Sequence, residues 1–219
     1  MKKIFLLSVV AAVAFTGCKK TMSTVSEAHH VSYPTILLSS DLYYSIPVGG
    51  TLPTITATAY DSFYREVDPV VIDQSSLDNS TPGLYAVTLS AKNKYGMTAY
   101  SSVYIGVTSA SPALDLSGTY IRLATAGRVA HVSKLGTGLF MTDNVGGVNV
   151  TDPTTGAAVS AVFVVTSDTT LDLGTQLTSA GTLVAIEPQT LTLTPGDTTL
   201  NYGINLSGFG KQIRSFVKQ

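Results

Sequence analysis

Apolar and polar positions alternate through much of this chain. In residues 54–60, Ile55, Ala57 and Ala59 fall on one face and threonines on the other. In 84–91, Tyr85, Val87, Leu89 and Ala91 share a face. In 97–107, Met97, Ala99, Val103, Ile105 and Val107 point one way, and Thr98, Tyr100, Ser102 and Tyr104 the other. A period of two with one apolar face predicts antiparallel strands laid on a core. Pro82-Gly83 turns the chain into the second of these strands. Asn93-Lys94-Tyr95-Gly96 joins the second to the third, with Gly96 free to take φ > 0. After a small-residue hinge at 108–112 the pattern resumes. Strands are predicted at 119–124, 128–134, 138–142, 159–167, 182–187, 190–194 and 199–206, with Ile213 and Phe216-Val217 closing the chain. Gly136/Gly138, Gly146-Gly147, 152–156 and Pro195-Gly196-Asp197 separate them. Even spacing with short turns predicts an up-and-down meander, closed or half-closed into a barrel, because closure removes exposed edges. No run after Cys18 reads as a useful amphipathic helix. The expectation is an all-β protein with one domain over 33–108 and a second antiparallel β-meander or barrel-like domain over 114–219.

The N-terminus follows another logic. Lys2 and Lys3 precede an apolar run, Ile4 to Phe15, of about twelve residues, short of the roughly 20 needed to cross a bilayer as a helix. A basic start, a short apolar stretch and small residues before a cut site describe a secretory signal peptide, residues 1–17. Phe15-Thr16-Gly17-Cys18 resembles the lipobox of bacterial lipoproteins, with Phe15 where Leu is usual. That resemblance implies that Cys18 is lipidated and becomes the mature N-terminus; an uncleaved anchor or a buried strand is the competing reading. Each buried CH₂ contributes about 0.8 kcal/mol, so the several acyl chains carried by such lipoproteins make attachment effectively permanent. Residues 18–32 then form a polar lipidated tether. His29 and His30 lie in it with no carboxylate or third histidine at ligand spacing, which favours a solvated linker over a metal site.

Composition narrows the function. Charged residues make up 12% of the chain and the net charge is −1, which excludes the basic footprint of a nucleic-acid binder and an acidic disordered tail. Cys18 is the only cysteine, so lipidation leaves no thiol for a disulfide, a zinc site or a nucleophile. His131 is the only histidine inside an expected domain. It sits mid-strand on the face of Val129, and no G-x-S-x-G motif accompanies it, which favours a structural histidine. Glycoside hydrolysis needs two carboxylates flanking a cleft. Asp68, Asp73 and Asp78 fall instead in an irregular stretch, and Asp143, Asp152, Asp168 and Asp172 in turns, where aspartates cap their own backbone. Their spacing matches no calcium loop. The expectation is a protein with no catalytic residues, no cofactor and no metal.

The stretch Ser80-Thr81-Pro82-Gly83-Leu84-Tyr85-Ala86-Val87, with Ala91 to Gly96 and Val103-Tyr104-Ile105-Gly106-Val107, resembles the end of a bacterial immunoglobulin-like domain. The resemblance implies an immunoglobulin-like β-sandwich over 33–108, with Tyr85 as a tyrosine corner whose hydroxyl bonds nearby backbone. Ser117-Gly118-Thr119-Tyr120, Lys134 to Phe140, Asp143-Asn144-Val145-Gly146-Gly147 and the close from Leu206 to Lys218 extend the likeness. The whole plan resembles a family of Bacteroidetes-type lipoproteins with such an N-terminal domain and an all-β C-terminal domain of unknown function. It implies lipid anchoring at the outer membrane and a context of glycan uptake. Lys19-Lys20 follow Cys18 where surface-exported members carry acidic residues, which leaves the cell surface and the periplasm-facing side both open. Aromatic faces on rigid strands are what sugars stack on. Tyr100 and Tyr104, on the polar face of one strand, are the candidate ligand-binding residues, although tyrosine is also simply a good strand residue. Asp168-Thr169-Thr170 and Asp197-Thr198-Thr199 resemble O-glycosylation sequons of this bacterial group, with Thr169 and Thr198 as acceptors. A barrel interior could hold a small apolar ligand, though small barrels are as often filled by their own side chains. The function implied is a non-catalytic envelope lipoprotein, an accessory binding component in glycan capture, with a polysaccharide or an outer-membrane protein as partner. The alternative is a structural or adhesive lipoprotein without carbohydrate affinity.

Overall fold

The computed structural model describes residues 30–125, 127–152, 156–194 and 196–219; the signal peptide, Cys18 and the tether as far as His29 lie outside them. The protein is all-β, as the alternation implies. Ser32–Gln219 form one compact unit.

Its first part is a small sandwich. Strands β1 (Thr35–Leu38) and β3 (Ala57–Tyr60) pair antiparallel. They face a four-stranded sheet ordered β2 (Tyr43–Pro47), β6 (Thr98–Thr108), β5 (Gly83–Lys92), β4 (Val71–Asp73), in which β2 runs parallel to β6. Ile46, Ile55, Val87, Leu89, Val103, Ile105 and Val107 form the core between them. The hairpin between β5 and β6 is set by Asn93, whose side-chain oxygen accepts from the backbone N–H of Tyr95 and Met97, while Gly96 takes φ +85°. The Tyr85 hydroxyl donates to the Thr81 carbonyl at 2.9 Å, the bond expected of a tyrosine corner.

The second part is a barrel. Its strands are β7 (Gly118–Arg122), β8 (Val129–Gly136), β9 (Leu139–Thr142), β10 (Ala161–Ser167), β11 (Thr170–Asp172), β12 (Thr175–Thr178), β13 (Gly181–Thr194), β14 (Asp197–Leu206) and β15 (Gly210–Lys218). Each of β7 to β10 pairs antiparallel with the next. The ladder continues from β11 to β13 through Thr170 and Thr190, then to β14 and β15, and β15 returns to β7. Eight strands thus close, and β12 is an extra strand on the first half of β13. Residues 182–187 and 190–194, expected as two strands, are one strand with a register shift between Ile186 and Gln189. The interior is filled: Phe140 stacks on Phe163 with centroids 5.6 Å apart, and Tyr202 on Phe216 at 5.8 Å. Leu183, Leu191, Leu200 and Ile204 pack around them. This is the size at which side chains occupy the lumen.

Sandwich and barrel share a third apolar cluster of Leu84, Tyr104, Leu139, Val162 and Val164. It exists because β6 comes close: a Cβ on Gly106 would stand 2.8 Å from Leu139 Cδ1 and 3.0 Å from Val164 Cγ2. The second half of β6 is therefore buried on both faces, as is most of β10. Polar bonds frame the contact. Ser45 Oγ donates to the Thr137 carbonyl, and the Leu84 N–H donates to Asp172 Oδ2 at 2.8 Å. The connection expected to be a hinge is also fastened. Thr108 Oγ1 donates to the Val165 carbonyl at 2.5 Å and Ser109 Oγ to that of Thr166 at 2.8 Å. Filling the Gly106 position overpacks this contact, a class of change that costs about 1–3 kcal/mol. Gly106→Leu is expected to lower the urea unfolding midpoint accordingly; an unchanged midpoint would mean that the two parts are not tightly joined there.

Candidate functional site

Inward positions of the barrel strands are apolar until one end, where they become arginines. Arg122 lies two residues after Tyr120 and opposite Phe216; Arg214 lies two before Phe216 and opposite Tyr202; Arg128 lies two before Ala130. These are three of the chain's four arginines. The segment between β9 and β10 crosses this end and buries Val145 and Val159 in the barrel core. Asn144 fixes it, donating to the carbonyls of Val129 and Val148 and accepting from the Val148 N–H. The Tyr202 hydroxyl donates to the Val145 carbonyl at 3.1 Å; burial pushes that hydroxyl well above the usual tyrosine range, so it remains a donor.

The guanidiniums converge on the next two carbonyls. Arg214 Nε donates to Gly146 O at 2.6 Å, and Arg122 Nη1 and Arg128 Nη1 reach the same Gly147 oxygen at 3.2 and 3.5 Å. Gly147 has φ +56°, and a Cβ there would meet Arg122 Cδ at 2.7 Å and Phe216 Cζ at 2.9 Å, so both backbone and space demand glycine. Beside the cluster a cavity of about 240 Å³ opens, lined by Arg128, Arg214 and Gln212 on its polar side and by Val148, Leu206 and Phe209 on its apolar side. Among the described residues no carboxylate forms an ion pair with any of the three arginines, and the buried Nε of Arg122 has no acceptor among them. Burial lowers the pKa of Arg122 and Arg214, and repulsion from the neighbouring arginines adds to it. Two like charges ~7 Å apart repel by roughly 2 kcal/mol at an effective dielectric constant of ~20. The mouth is a positively charged, half-apolar recess.

A second feature lies at one end of the sandwich. Phe63 meets Tyr64 edge-on with centroids 4.8 Å apart, Tyr64 meets Tyr95 at 4.4 Å, and Lys94 Nζ lies 5.5 and 5.3 Å from the two tyrosine rings. Phe63 is 58% exposed. The group is held from behind by Asp61, itself 1% exposed. Its carboxylate accepts from the N–H groups of Phe63 and Tyr64, from Ser32 Oγ and from Asn93 Nδ2. Asn93 also donates to the Ser32 carbonyl. One carboxylate and one amide thus fasten the incoming chain, the aromatic loop and the β5–β6 hairpin together.

The residues singled out in the sequence fall in different places. Tyr100 is 71% exposed on β6, whereas Tyr104 is 7% exposed. The Tyr104 ring stacks on Tyr43, and its hydroxyl accepts from the Leu177 N–H at 3.0 Å. Alternation puts both tyrosines on one face, but the barrel covers only the half that carries Tyr104. His131 sits on the outer barrel surface, where Asp143 accepts from its backbone N–H at 2.7 Å and pairs with Nδ1 at 2.8 Å. Exposed pairs of this kind contribute at most about 1 kcal/mol. Asp73 and Asp78 accept from the residues two and three further on. Thr169 is exposed in the β10–β11 turn and Thr198 half-buried at the start of β14. Among the described residues no group of three His, Cys, Asp or Glu side chains could hold a metal ion. Sequence reasoning missed the arginine mouth. A local signal exists only for Arg122, at the end of β7, and Arg128, just before β8, each two residues from a core position; Arg214 stands mid-strand in β15, and nothing local brings the three together.

No family model and no curated protein matches this chain. Among solved structures it is similar to the lipoprotein BT2262 from Bacteroides thetaiotaomicron, at 20% identity over 85% of this chain and 100% of that one, with a TM-score of 0.37.

Asp61 yields a pH prediction. The Asn93 amide, above all, lowers its pKa from 3.8 to about 2, joined by the backbone N–H groups of Tyr64 and Phe63 and the Ser32 hydroxyl. A depressed folded-state pKa adds stability that is complete above the unfolded value and is lost as pH falls through the folded one. This contribution is therefore present above about pH 4 and disappears toward about pH 2. Asp61→Asn is expected to lower the urea midpoint at pH 7 and to shallow its decline between pH 4 and 2. An acid limb of unchanged slope would assign that decline to other carboxylates.

Proposed function

We propose that this chain is an exported envelope lipoprotein, anchored through Cys18 at the outer membrane, that takes part in glycan capture by binding and not by catalysis. The anchor rests on residues 1–18, as the lipobox resemblance implies. The observation that carries the binding role is the Phe63–Tyr64–Tyr95 cluster. Sugar C–H faces stack on aromatic rings, and rings fixed by backbone-bonded turns lose little freedom on binding, which favours affinity. Tyr100, exposed on β6, adds a fourth ring on the same part of the molecule. Thr169 and Thr198 are the proposed glycosylation acceptors, and Thr169 in its exposed turn is the more accessible. The partner is a polysaccharide presented at the envelope, or an outer-membrane protein that passes it on.

A structural role is the second reading, and the shared sandwich–barrel core supports it, because a stiff unit is what a spacer needs. The two readings separate on sugar affinity. The lipid-free protein is expected to bind a subset of glycans on an array, and Phe63→Ala to weaken that binding by up to about tenfold, the scale of one aromatic contact. Absence of binding to every glycan would overturn capture and leave the spacer. Cys18→Ala in cells is expected to abolish labelled-palmitate incorporation and move the protein from the membrane to the soluble fraction. Retention of the label would place the lipid elsewhere.

A further inference from the structure

We propose that the arginine-lined mouth of the barrel is an anion site that takes the carboxylate of a small ligand with an apolar face. It lies in the barrel, apart from the aromatic end of the sandwich, and does not depend on the glycan reading.

Three features of the mouth converge on it. The first is charge without a counter-charge. Arg122 and Arg128 share the Gly147 carbonyl, Arg214 donates to the Gly146 and Ile213 carbonyls and to Gln212 Oε1, and among the described residues none of the three pairs with a carboxylate. Fastening the loop between β9 and β10 explains Arg214, whose Nε bond to Gly146 is 2.6 Å. It does not explain Arg128, whose guanidinium makes one long contact of 3.5 Å among the described residues and otherwise lines the cavity. A carbonyl offers only partial negative charge, whereas an oxyanion would neutralise the cluster.

The second is donor geometry. A guanidinium presents a planar fork that matches a carboxylate with two parallel hydrogen bonds. Arg128 brings such a fork to the recess, and Arg214, whose three nitrogens each already donate within the chain, adds its charge and its remaining N–H groups beside Gln212. Gln212 Oε1 accepts from Arg214 Nη2, which orients that guanidinium.

The third is the opposite wall. Val148, Leu206 and Phe209 are apolar, and Phe209 is 57% exposed at the rim. A cavity of about 240 Å³ falls below the ~300–1,000 Å³ of pockets for drug-sized molecules. It suits one ring or a short chain, held by its acid at the arginines and by its body against Phe209. A sugar acid and an aryl or short-chain carboxylic acid share this chemistry.

The test uses the full mature chain in detergent, titrated calorimetrically with sodium phenylacetate and sodium glucuronate and with their neutral counterparts phenylacetamide and glucose. At least one carboxylate is expected to bind saturably and at least about tenfold more tightly than its neutral counterpart, as charge-assisted pairing requires. Its affinity should fall as salt rises from about 50 to about 300 mM, where screening shortens the reach of exposed charges. Which acid binds distinguishes the sugar from the aryl source. Arg128→Gln should weaken binding about tenfold or more at an unchanged urea midpoint, and Arg128→Lys should restore part of it, since lysine keeps the charge but loses the fork. Phe209→Ala, at the exposed rim, should weaken acid binding severalfold and serves if the arginine variant does not fold. Equal affinity for acid and neutral counterpart, no binding by either acid, or wild-type affinity in Arg128→Gln or Phe209→Ala would overturn the proposal. Glycan-array binding that fails while carboxylate binding succeeds would remove the capture reading and leave this site standing.

Discussion

The close approach of β6 to the barrel at Gly106 governs most of this structure. With no side chain there, Leu139 and Val164 come up against the strand, and a second apolar layer forms on what would otherwise be a solvated sheet face. The consequences spread outward. Tyr104 becomes an interface residue, the 108–112 connection is bonded down along β10, and Asp172 of the barrel accepts a backbone N–H from β5. Sandwich and barrel are therefore built as one cooperative body, in which the outer wall of one is the core of the other.

Two asparagines play matching parts at remote places. Asn93 and Asn144 are each 1% exposed; Asn93 accepts from two backbone N–H groups and donates to the Ser32 carbonyl and the Asp61 carboxylate, and Asn144 accepts from one backbone N–H and donates to two backbone carbonyls. Asn93 organises the aromatic end of the sandwich and Asn144 the loop over the barrel mouth. A buried amide that satisfies several backbone groups holds an irregular segment as firmly as a strand would, because each bond lost would leave a buried polar group unpaired. Both candidate binding regions are thus loop-built yet anchored, the combination that lets a surface recess keep its shape without a ligand. The filled lumen adds a complementary constraint. Stacked Phe140–Phe163 and Tyr202–Phe216 leave the barrel no interior to offer, so recognition in this half belongs to its rim.

Much of this was legible in the chain itself. Period-two alternation located β5, β6 and most barrel strands, the Asn93–Gly96 turn followed from local chemistry, and the Tyr85 bond was implied by the resemblance to an immunoglobulin-like domain. Three things were not legible, for physical reasons. Strands β1, β2, β4, β11 and β12 are three to five residues long, too short for a period to register. Residues 182–194 read as two strands because Glu187-Pro188 interrupts the alternation, whereas the structure absorbs the break as a register shift within β13. The arginine mouth needed the closure itself, since Arg122 and Arg214 meet only once β15 pairs with β7. One available signal was underused. Ala161-Val162-Phe163-Val164-Val165 is apolar without alternation, the signature of a strand covered on both faces, and it points to the sandwich lying against the barrel.

The parallel pairing of β2 with β6 has a mechanical meaning. The chain enters the sandwich ahead of β2 and leaves for the barrel from the far end of β6, and the two strands lie side by side from Tyr43–Tyr104 to Pro47–Thr108. A pull between the N-terminal side and the barrel loads this pair along its length, in shear, so that its hydrogen bonds must yield together instead of unzipping one at a time. A body held at one end and tugged at the other has its strongest seam in the path of the force.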